Sequence, residues 1–266
     1  MAVPKLSVPI ITLNEAKNLA AVLAAVCQIT PDIEIIVVDS GSSDATVAIA
    51  ESFGATVVHQ AWQGFAAQKN LALAHCTGHY ILSLDADEVP DSKLIKEIQK
   101  VLHKGERTAY FLRRHAVYMQ RVMKYAFCDK KLRLVHRSLQ PVWVGARVHE
   151  SLSVLLDPGK IHLLNGKLLH YSYEHFEDHL TRSIQYSRLS ALNKFEAGEQ
   201  CSIFKLIVKP WLAFLKSYVL KGGILDGLPG LIVSKMRALD VFEKYLFLYE
   251  HIQIQKVALA KQNESQ

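Results

Sequence analysis

The sequence is poor in the residues that build several common architectures. Its 266 residues hold four cysteines, Cys27, Cys76, Cys128 and Cys201, none in a C-x-x-C pair. That excludes a dense disulfide framework and a cysteine zinc module, and makes a reducing compartment the default. Only 13 glycines and 8 prolines accompany 50% hydrophobic and 21% charged residues, a balance that excludes collagen-like, low-complexity and disordered chains. The chain also lacks an unbroken run of the ~20 apolar residues that a membrane span requires. The best candidate, Ile203 to Leu220, is interrupted by Lys205, Lys209 and Lys216 and carries Pro210, so it is read as lying on a membrane rather than crossing it. On that reading the lysines face anionic head groups, and Ile203, Leu206, Ile207, Trp211, Phe214 and Leu215 form the apolar surface. The first residues have neither the basic start, the long apolar run nor the cleavage site of a secretory signal, which predicts a cytoplasmic chain.

What is present is a basic globular chain, with a formal net charge of +6. Eleven lysines and arginines fall between residues 101 and 150, among them Arg113, Arg114, Arg133 and Arg137, against Glu106, Asp129 and Glu150. This cationic middle points to an anionic partner.

The first hundred residues alternate short apolar runs (6–12, 33–38, 55–59, 80–84) with helical patterns, which predicts an α/β fold with a mostly parallel sheet and helices on both faces. Ser42 or Ser43 is expected to cap the second helix and Asp91 the helix after Pro90. Pro9 lacks a ladder donor and is expected to bulge or unpair the first strand. From 109 to 171 short strand-like pieces extend the same sheet, and from Phe176 helices take over around a Gly-rich joint at 222–230. The expected domains are 1–175, with halves 1–105 and 106–175, and a helical extension, 176–266.

Open α/β sheets bind ligands beyond the carboxyl ends of their strands. Two acidic groups stand there: Asp39, followed by the small-residue turn Ser40-Gly41-Ser42-Ser43, and Asp85-Ala86-Asp87-Glu88. Asp39 is suited to approach a base or ribose, or simply to cap its helix. The second cluster is suited to holding Mg²⁺ or Mn²⁺ on a diphosphate, or to capping the helix after Pro90. His170, His175 and His179 lack the spacing of a known metal motif. His170 is the one expected near the site. Trp143, Tyr171, Tyr173 and Phe176 are candidates for stacking on sugar rings.

The segments 7–15, 36–46, Gln68-Lys69-Asn70 and 84–88, in this order and spacing, resemble family 2 glycosyltransferases. The resemblance implies a GT-A fold, a nucleotide-sugar donor, a divalent cation and inversion at the anomeric centre. It also implies that Thr12, Asn14 and Glu15 line the nucleotide pocket, that Asp39 and Gly41 meet the base, and that Lys69 lies near the base or diphosphate. Asp85 and Asp87 become the Asp-x-Asp motif for ribose and metal. Further short segments, at 131–135, 145–150, 168–171 and Asp226-Gly227, resemble lipopolysaccharide core β-1,4-glucosyltransferases acting on heptose. That resemblance implies UDP-glucose as donor and a lipid-anchored saccharide acceptor at the inner face of the inner membrane. Glu150, beside His149, is implied as the catalytic base, the alternative being a salt bridge to Arg147. Transfer to a polyprenyl phosphate is the competing enzymatic reading. A nucleic-acid-binding protein is disfavoured because the acids would repel phosphate without a metal.

Overall fold

The computed structural model describes residues 5–145, 150–173 and 175–264. The alternating apolar pattern becomes β1 (Leu6–Thr12), α1 (Ala16–Val26), β2 (Ile33–Asp39), α2 (Thr46–Ser52), β3 (Thr56–His59), α3 (Phe65–Ala74), β4 (Tyr80–Leu82), β5 (Leu84–Asp85), β6 (Glu88–Pro90) and α4 (Ser92–Lys104). The basic middle adds β7 (Ala109–Tyr118), β8 (Arg121–Val122), β9 (Cys128–His136), β10 (Val142–Val144), β11 (Ser151–Ser153) and β12 (His162–Tyr173).

One sheet runs β3-β2-β1-β4-β9-β7-β12-β6, with β5 paired to β1 and β8 to β7. The pairs of β1 with β2, β4 and β5, and of β2 with β3, are parallel, whereas β4–β9, β7–β9 and β12–β6 are antiparallel. Alternation along the strands divides two apolar layers. Leu6, Val8 and Ile10 pack with Leu19, Val22 and Leu23 of α1 and Leu94, Ile95 and Ile98 of α4. On the other face Ile36 and Val38 pack with Ala72 of α3 and with Trp143 and Leu152 of the β10–β11 hairpin. Burial on both faces explains why Ile35 to Val38 of β2 reads as an unbroken apolar run.

Two local expectations are corrected. Pro9 does not bulge β1 and stays in register with Ile36. The missing donor matters only on the other side, where β1 pairs β4 at Leu6 and Ser7 and β5 at Ile10 and Ile11, and the chain opposite Val8 and Pro9 passes between β4 and β5 at Ser83. Ser83 instead donates its amide to the Arg133 carbonyl. Nor do Ser42 and Ser43 cap α2. Asp44 accepts from the Thr46 amide, while the Ser42 hydroxyl accepts from the Asn14 amide. Asp91 caps α4 as expected, accepting from the Leu94 amide at 2.7 Å.

The chain divides into two units, one comprising the sheet up to Val117 and Cys128–Ser172, the other Tyr118–Phe127 and the residues from Tyr173 onward. The second contains α5 (Phe176–Glu196), α6 (Ile203–Leu215), a π-helical turn (Lys216–Leu220), a 3-10 turn (Gly223–Asp226) and α7 (Gly227–Glu264). Ala191 of α5, Leu206 of α6 and Tyr245 and Leu248 of α7 share its apolar core. Asp226 accepts from the amides of Lys124, Tyr125 and Ala126, which fastens the Tyr118–Phe127 segment to the helices. The Gly-rich joint is a close approach: a Cβ on Gly230 would stand 1.9 Å from the Gly223 carbonyl oxygen, so only glycine lets the start of α7 lie against the preceding turn.

Two expectations about lysines fail here. The Lys205 ammonium turns to Glu199 at 2.7 Å and to the Gln200 carbonyl, and that of Lys209 to the Tyr245 hydroxyl at 2.7 Å. Both face the helical core rather than outward.

His179 is buried in an aromatic group, its Nδ1 3.0 Å from the Tyr118 hydroxyl and its ring stacked on Tyr173 at 4.2 Å. Burial pushes its pKa down, with Asp240 opposing and Arg237 adding. The unfolded chain therefore takes up this proton first as the pH drops below about 6.5, and the fold loses stability from there until the folded group also titrates. Thermal unfolding across pH 8 to 5 should show a shallower acid slope for His179→Gln than for wild type. Equal slopes would exclude His179 as the responsible group.

Candidate active site

Thr12 ends β1 and Asp39 ends β2, so parallel pairing brings them side by side. The Thr12 hydroxyl donates to Asp39 Oδ1 at 2.9 Å, and the amides of Gly41 and Ser42 donate to Oδ2 at 2.9 and 2.8 Å. The Ser42 hydroxyl completes the set on Oδ1. All four lone-pair positions of the carboxylate are thus occupied, three by the loop that follows Asp39 and one by Thr12 of β1, and the residue is 1% exposed. Burial raises the Asp39 pKa, but the bonds from Ser42, Thr12 and Gly41 outweigh it and hold the group below the ordinary carboxylate value. Gly41 has φ +99°, a conformation that favours glycine. Asn14 and Glu15 lace the neighbouring loop to this one: Asn14 Oδ1 accepts from the Ser43 amide, and the Glu15 amide donates to the Thr46 hydroxyl, both at 2.8 Å.

The second acidic group sits at the end of β5, beside the antiparallel half of the sheet. Lys69, from α3, places its ammonium 2.8 Å from Asp85 Oδ1 and 3.1 Å from Glu150 Oε1. Arg133, from β9, donates one Nη2 to Asp85 Oδ2 at 2.7 Å and to Glu88 Oε1 at 2.8 Å. Arg114, from β7, reaches Glu88 at 3.3 Å and Asp129 at 2.8 Å, and Lys131 closes the series on Asp129 at 3.5 Å. Charge therefore alternates without a break through Lys131, Asp129, Arg114, Glu88, Arg133, Asp85, Lys69 and Glu150. The Trp143 ring lies beneath two of the cations, 4.3 Å from the Lys69 ammonium and 5.3 Å from the Arg133 guanidinium.

Burial pushes the Asp85 carboxyl up, and Arg133 and Lys69 overcome this to hold it far below the carboxylate range. For Arg133 burial opposes the charge, and Asp85 and Glu88 restore it. Asp87 stands aside from this series, its Oδ2 3.3 Å from Nε2 of His170 on β12. Burial lowers the His170 pKa, and the charge and hydrogen bond of Asp87 more than reverse that. The structure thus gathers Lys69, Asp85 and Glu150 at one point, and Thr12, Asn14, Glu15, Asp39 and Gly41 in the adjoining loops. His149 and Arg147 lie outside the described residues.

A sequence profile of Glycosyl transferase family 2 matches residues 7–135. An uncharacterized glycosyltransferase of Rickettsia felis is 32% identical over 267 residues, covering 97% of this chain and 94% of its own. The chain belongs to glycosyl transferase family 2. The lipopolysaccharide core biosynthesis glycosyltransferase LpsC of Rhizobium meliloti is 26% identical over 91% of this chain and 94% of its own length. Among solved structures, the mannosyltransferase PcManGT of Pyrobaculum calidifontis, in complex with GDP-Man and Mn²⁺, superposes with a TM-score of 0.56 at 15% identity, over 94% of this chain and 88% of that one. S. aureus TarS 1-349 gives 0.50 at 16% identity, over 94% and 91%. The fold of this glycosyltransferase is therefore GT-A, an α/β sheet followed by a helical C-terminal extension, as the sequence implied.

Sequence reasoning had placed Arg114 and Arg133 only in a general cationic zone and Trp143 among possible sugar platforms. In the glycosyltransferase they are structural partners of the acids, and Trp143 is 4% exposed. Arg137 donates to the Gly78 carbonyl just before β4, at the end of that strand away from Asp85. One signal was legible: Glu88, adjacent to the Asp-x-Asp motif at a strand, needs a cation if buried, and it is 0% exposed. Arg133→Met should cost about 3 kcal/mol, the scale of breaking a buried pair from one side, because Asp85 and Glu88 lose a shared partner. Urea unfolding would measure it, and Arg133→Met/Glu88→Gln should recover part of the loss. A single variant as stable as wild type would show the guanidinium to be dispensable to the fold.

Proposed function

We propose that this glycosyltransferase moves glucose from UDP-glucose, with inversion, onto a heptose of a lipid-anchored lipopolysaccharide core acceptor, working at the inner face of the inner membrane. The observation that carries the transfer step is the position of Glu150, an acid held 3.1 Å from the Lys69 ammonium that also holds Asp85 of the Asp-x-Asp motif. A carboxylate at that point can serve a group bound over the motif. The name of LpsC supports the acceptor class, and TarS 1-349, solved in complex with UDP with a TM-score of 0.50, supports a uridine nucleotide by fold analogy.

The chemistry follows from the residues. Thr12, Asn14, Glu15, Asp39 and Gly41 form the wall for base and ribose, with Asp39 acting chiefly by shaping the loop whose amides it binds. Lys69 meets the diphosphate from the side of Asp85. The acceptor hydroxyl loses its proton to Glu150 as its oxygen bonds to the anomeric carbon, and the bond from that carbon to the diphosphate oxygen breaks on the opposite face, its electron pair leaving with UDP.

The residues fit a divalent cation at one place. Asp87 and His170 offer an oxygen and an imidazole nitrogen 3.3 Å apart, while both oxygens of Asp85 are already held by cations. Among the described residues no three His, Cys, Asp or Glu side chains form a metal site, so a cation there would need oxygen donors beyond the protein, as magnesium, which usually keeps several waters, does. Mg²⁺ or Mn²⁺ held there would neutralise charge developing on the departing diphosphate.

Glu150→Gln should keep UDP-glucose binding, read as protection against thermal unfolding, and lose about 10²- to 10⁴-fold in kcat, the usual worth of a general base. Full turnover would move the base elsewhere. Asp87→Ala should lose the Mn²⁺-dependent part of that protection together with about a hundredfold or more in kcat. Protection by UDP-glucose that is the same with and without Mn²⁺ in the wild-type enzyme would remove the metal assignment.

A further inference from the structure

The outer face of α6 and the turns that follow it are apolar to a degree that a soluble surface does not explain. Ile203 is 75% exposed, Ile207 59%, Trp211 65%, Leu220 80%, and Leu225 and Leu228 68% each. Phe204, Leu212, Leu215, Val219 and Ile224 are exposed among them. The spacing of Ile203, Phe204, Ile207, Trp211, Leu212 and Leu215 places them on one side of α6, and at 1.5 Å per residue that helix alone presents about 20 Å of apolar face. Its opposite side is accounted for: Leu206 lies against the helical core, Lys209 bonds Tyr245, Pro210 is buried, and the buried Ser217 hydroxyl accepts from Ser234. The close contact at Gly223 and Gly230 then carries the apolar side chains from the π-helical turn through the 3-10 turn to the start of α7. A cytosolic monomer rarely leaves so many large apolar side chains together in water.

Charge selects the occupant. Between residues 203 and 239 there are five lysines and one arginine, and the sole acid is Asp226. Asp226 is turned to the amides of residues 124–126, and Lys205 and Lys209 are turned inward. What remains outside is apolar surface with the exposed Lys216 and Lys221 on either side of the Val219–Leu220 tip, and no outward carboxylate. Two copies of such a face would set cation against cation. An anionic bilayer offers hydrocarbon to the one and head groups to the other.

We infer that α6, the π-helical turn, the 3-10 turn and the first turn of α7 form one platform that inserts its apolar side chains into the surface of an anionic lipid bilayer without crossing it. Among the described residues no helix is long and apolar enough to cross a membrane. Apolar insertion supplies most of the attachment, because Lys205 and Lys209 are used inside the protein, and the exposed Lys216 and Lys221 supply the preference for anionic head groups. The inference extends the lipid-anchored acceptor proposed above and is independent of the transfer chemistry.

The experiment is flotation of the full chain with vesicles of phosphatidylcholine alone or with phosphatidylglycerol. Wild type should float with the anionic vesicles and keep most of its binding in 1 M salt, where the screening length is about 3 Å. Ile207→Glu/Leu225→Glu should lose at least about tenfold in the bound fraction while keeping the wild-type melting temperature. Leu220→Glu, at the most exposed position, provides a second test should the double variant fold poorly. Wild type that stays at the bottom of both gradients, or variants that float equally well, would overturn the platform. So would a lipid-free dimer that the double variant turns into a monomer, since that would assign the face to a second copy. UDP-glucose protection followed in the same samples reads the donor assignment separately.

Discussion

A guanidinium that is 3% exposed needs partners on every side it turns to carboxylates, and Arg133 sets the terms for the site around it. It stands at the centre of a series of four cations and four carboxylates that alternate from Lys131 to Glu150. Removing a buried member, Arg133, Glu88 or Lys69, leaves two neighbours of like charge short of a partner in a poorly solvated place, which is far more costly than the pair itself is stabilising. That asymmetry freezes Asp85 and Lys69 in position. Trp143 adds a flat, dry surface under Lys69 and Arg133, which limits their motion and strengthens the local electrostatics.

The two halves of the sheet contribute different things to this arrangement. The parallel half delivers strand ends: Thr12, Asp39 and Asp85 arrive together because β1 pairs with both β2 and β5. The antiparallel half delivers side chains from strand interiors, Arg133 from β9, Arg114 from β7 and His170 from β12. On the function proposed above, the loop of amides and hydroxyls would take the base and ribose of the donor and the cation-lined floor its diphosphate. The helical unit follows a different logic, with polar groups bonded inward and large apolar ones left outside.

Much of the first hundred residues was legible in the sequence. Alternating apolar runs and helical stripes gave most strands and helices of the first hundred residues nearly to their ends, because both faces of β2 are buried and α4 has one clean apolar stripe with Asp91 at its start, whereas the run 80–84 splits into β4 and β5 and the short β6 was not read. Asp39 and Asp85 stand at strand ends, where an open sheet places ligands, and that position follows from local pattern alone. The helical extension was legible too, as was the exceptional apolarity of α6.

What only the tertiary structure decided is which charges meet. Lys69 and Glu150 are 81 residues apart and Arg133 and Asp85 are 48 apart, and no periodicity in one segment encodes the partner in another. The same holds for direction. On a helix, Lys205 and Lys209 read as a basic fringe for head groups, yet Glu199 and Tyr245 draw them inward, because a half-buried ammonium goes where an acceptor waits. Local sequence determined the elements, the acids at the strand ends and the apolar face. The fold determined which cation neutralises which acid, since that depends on strand order and crossing elements that bring distant side chains within a few ångströms.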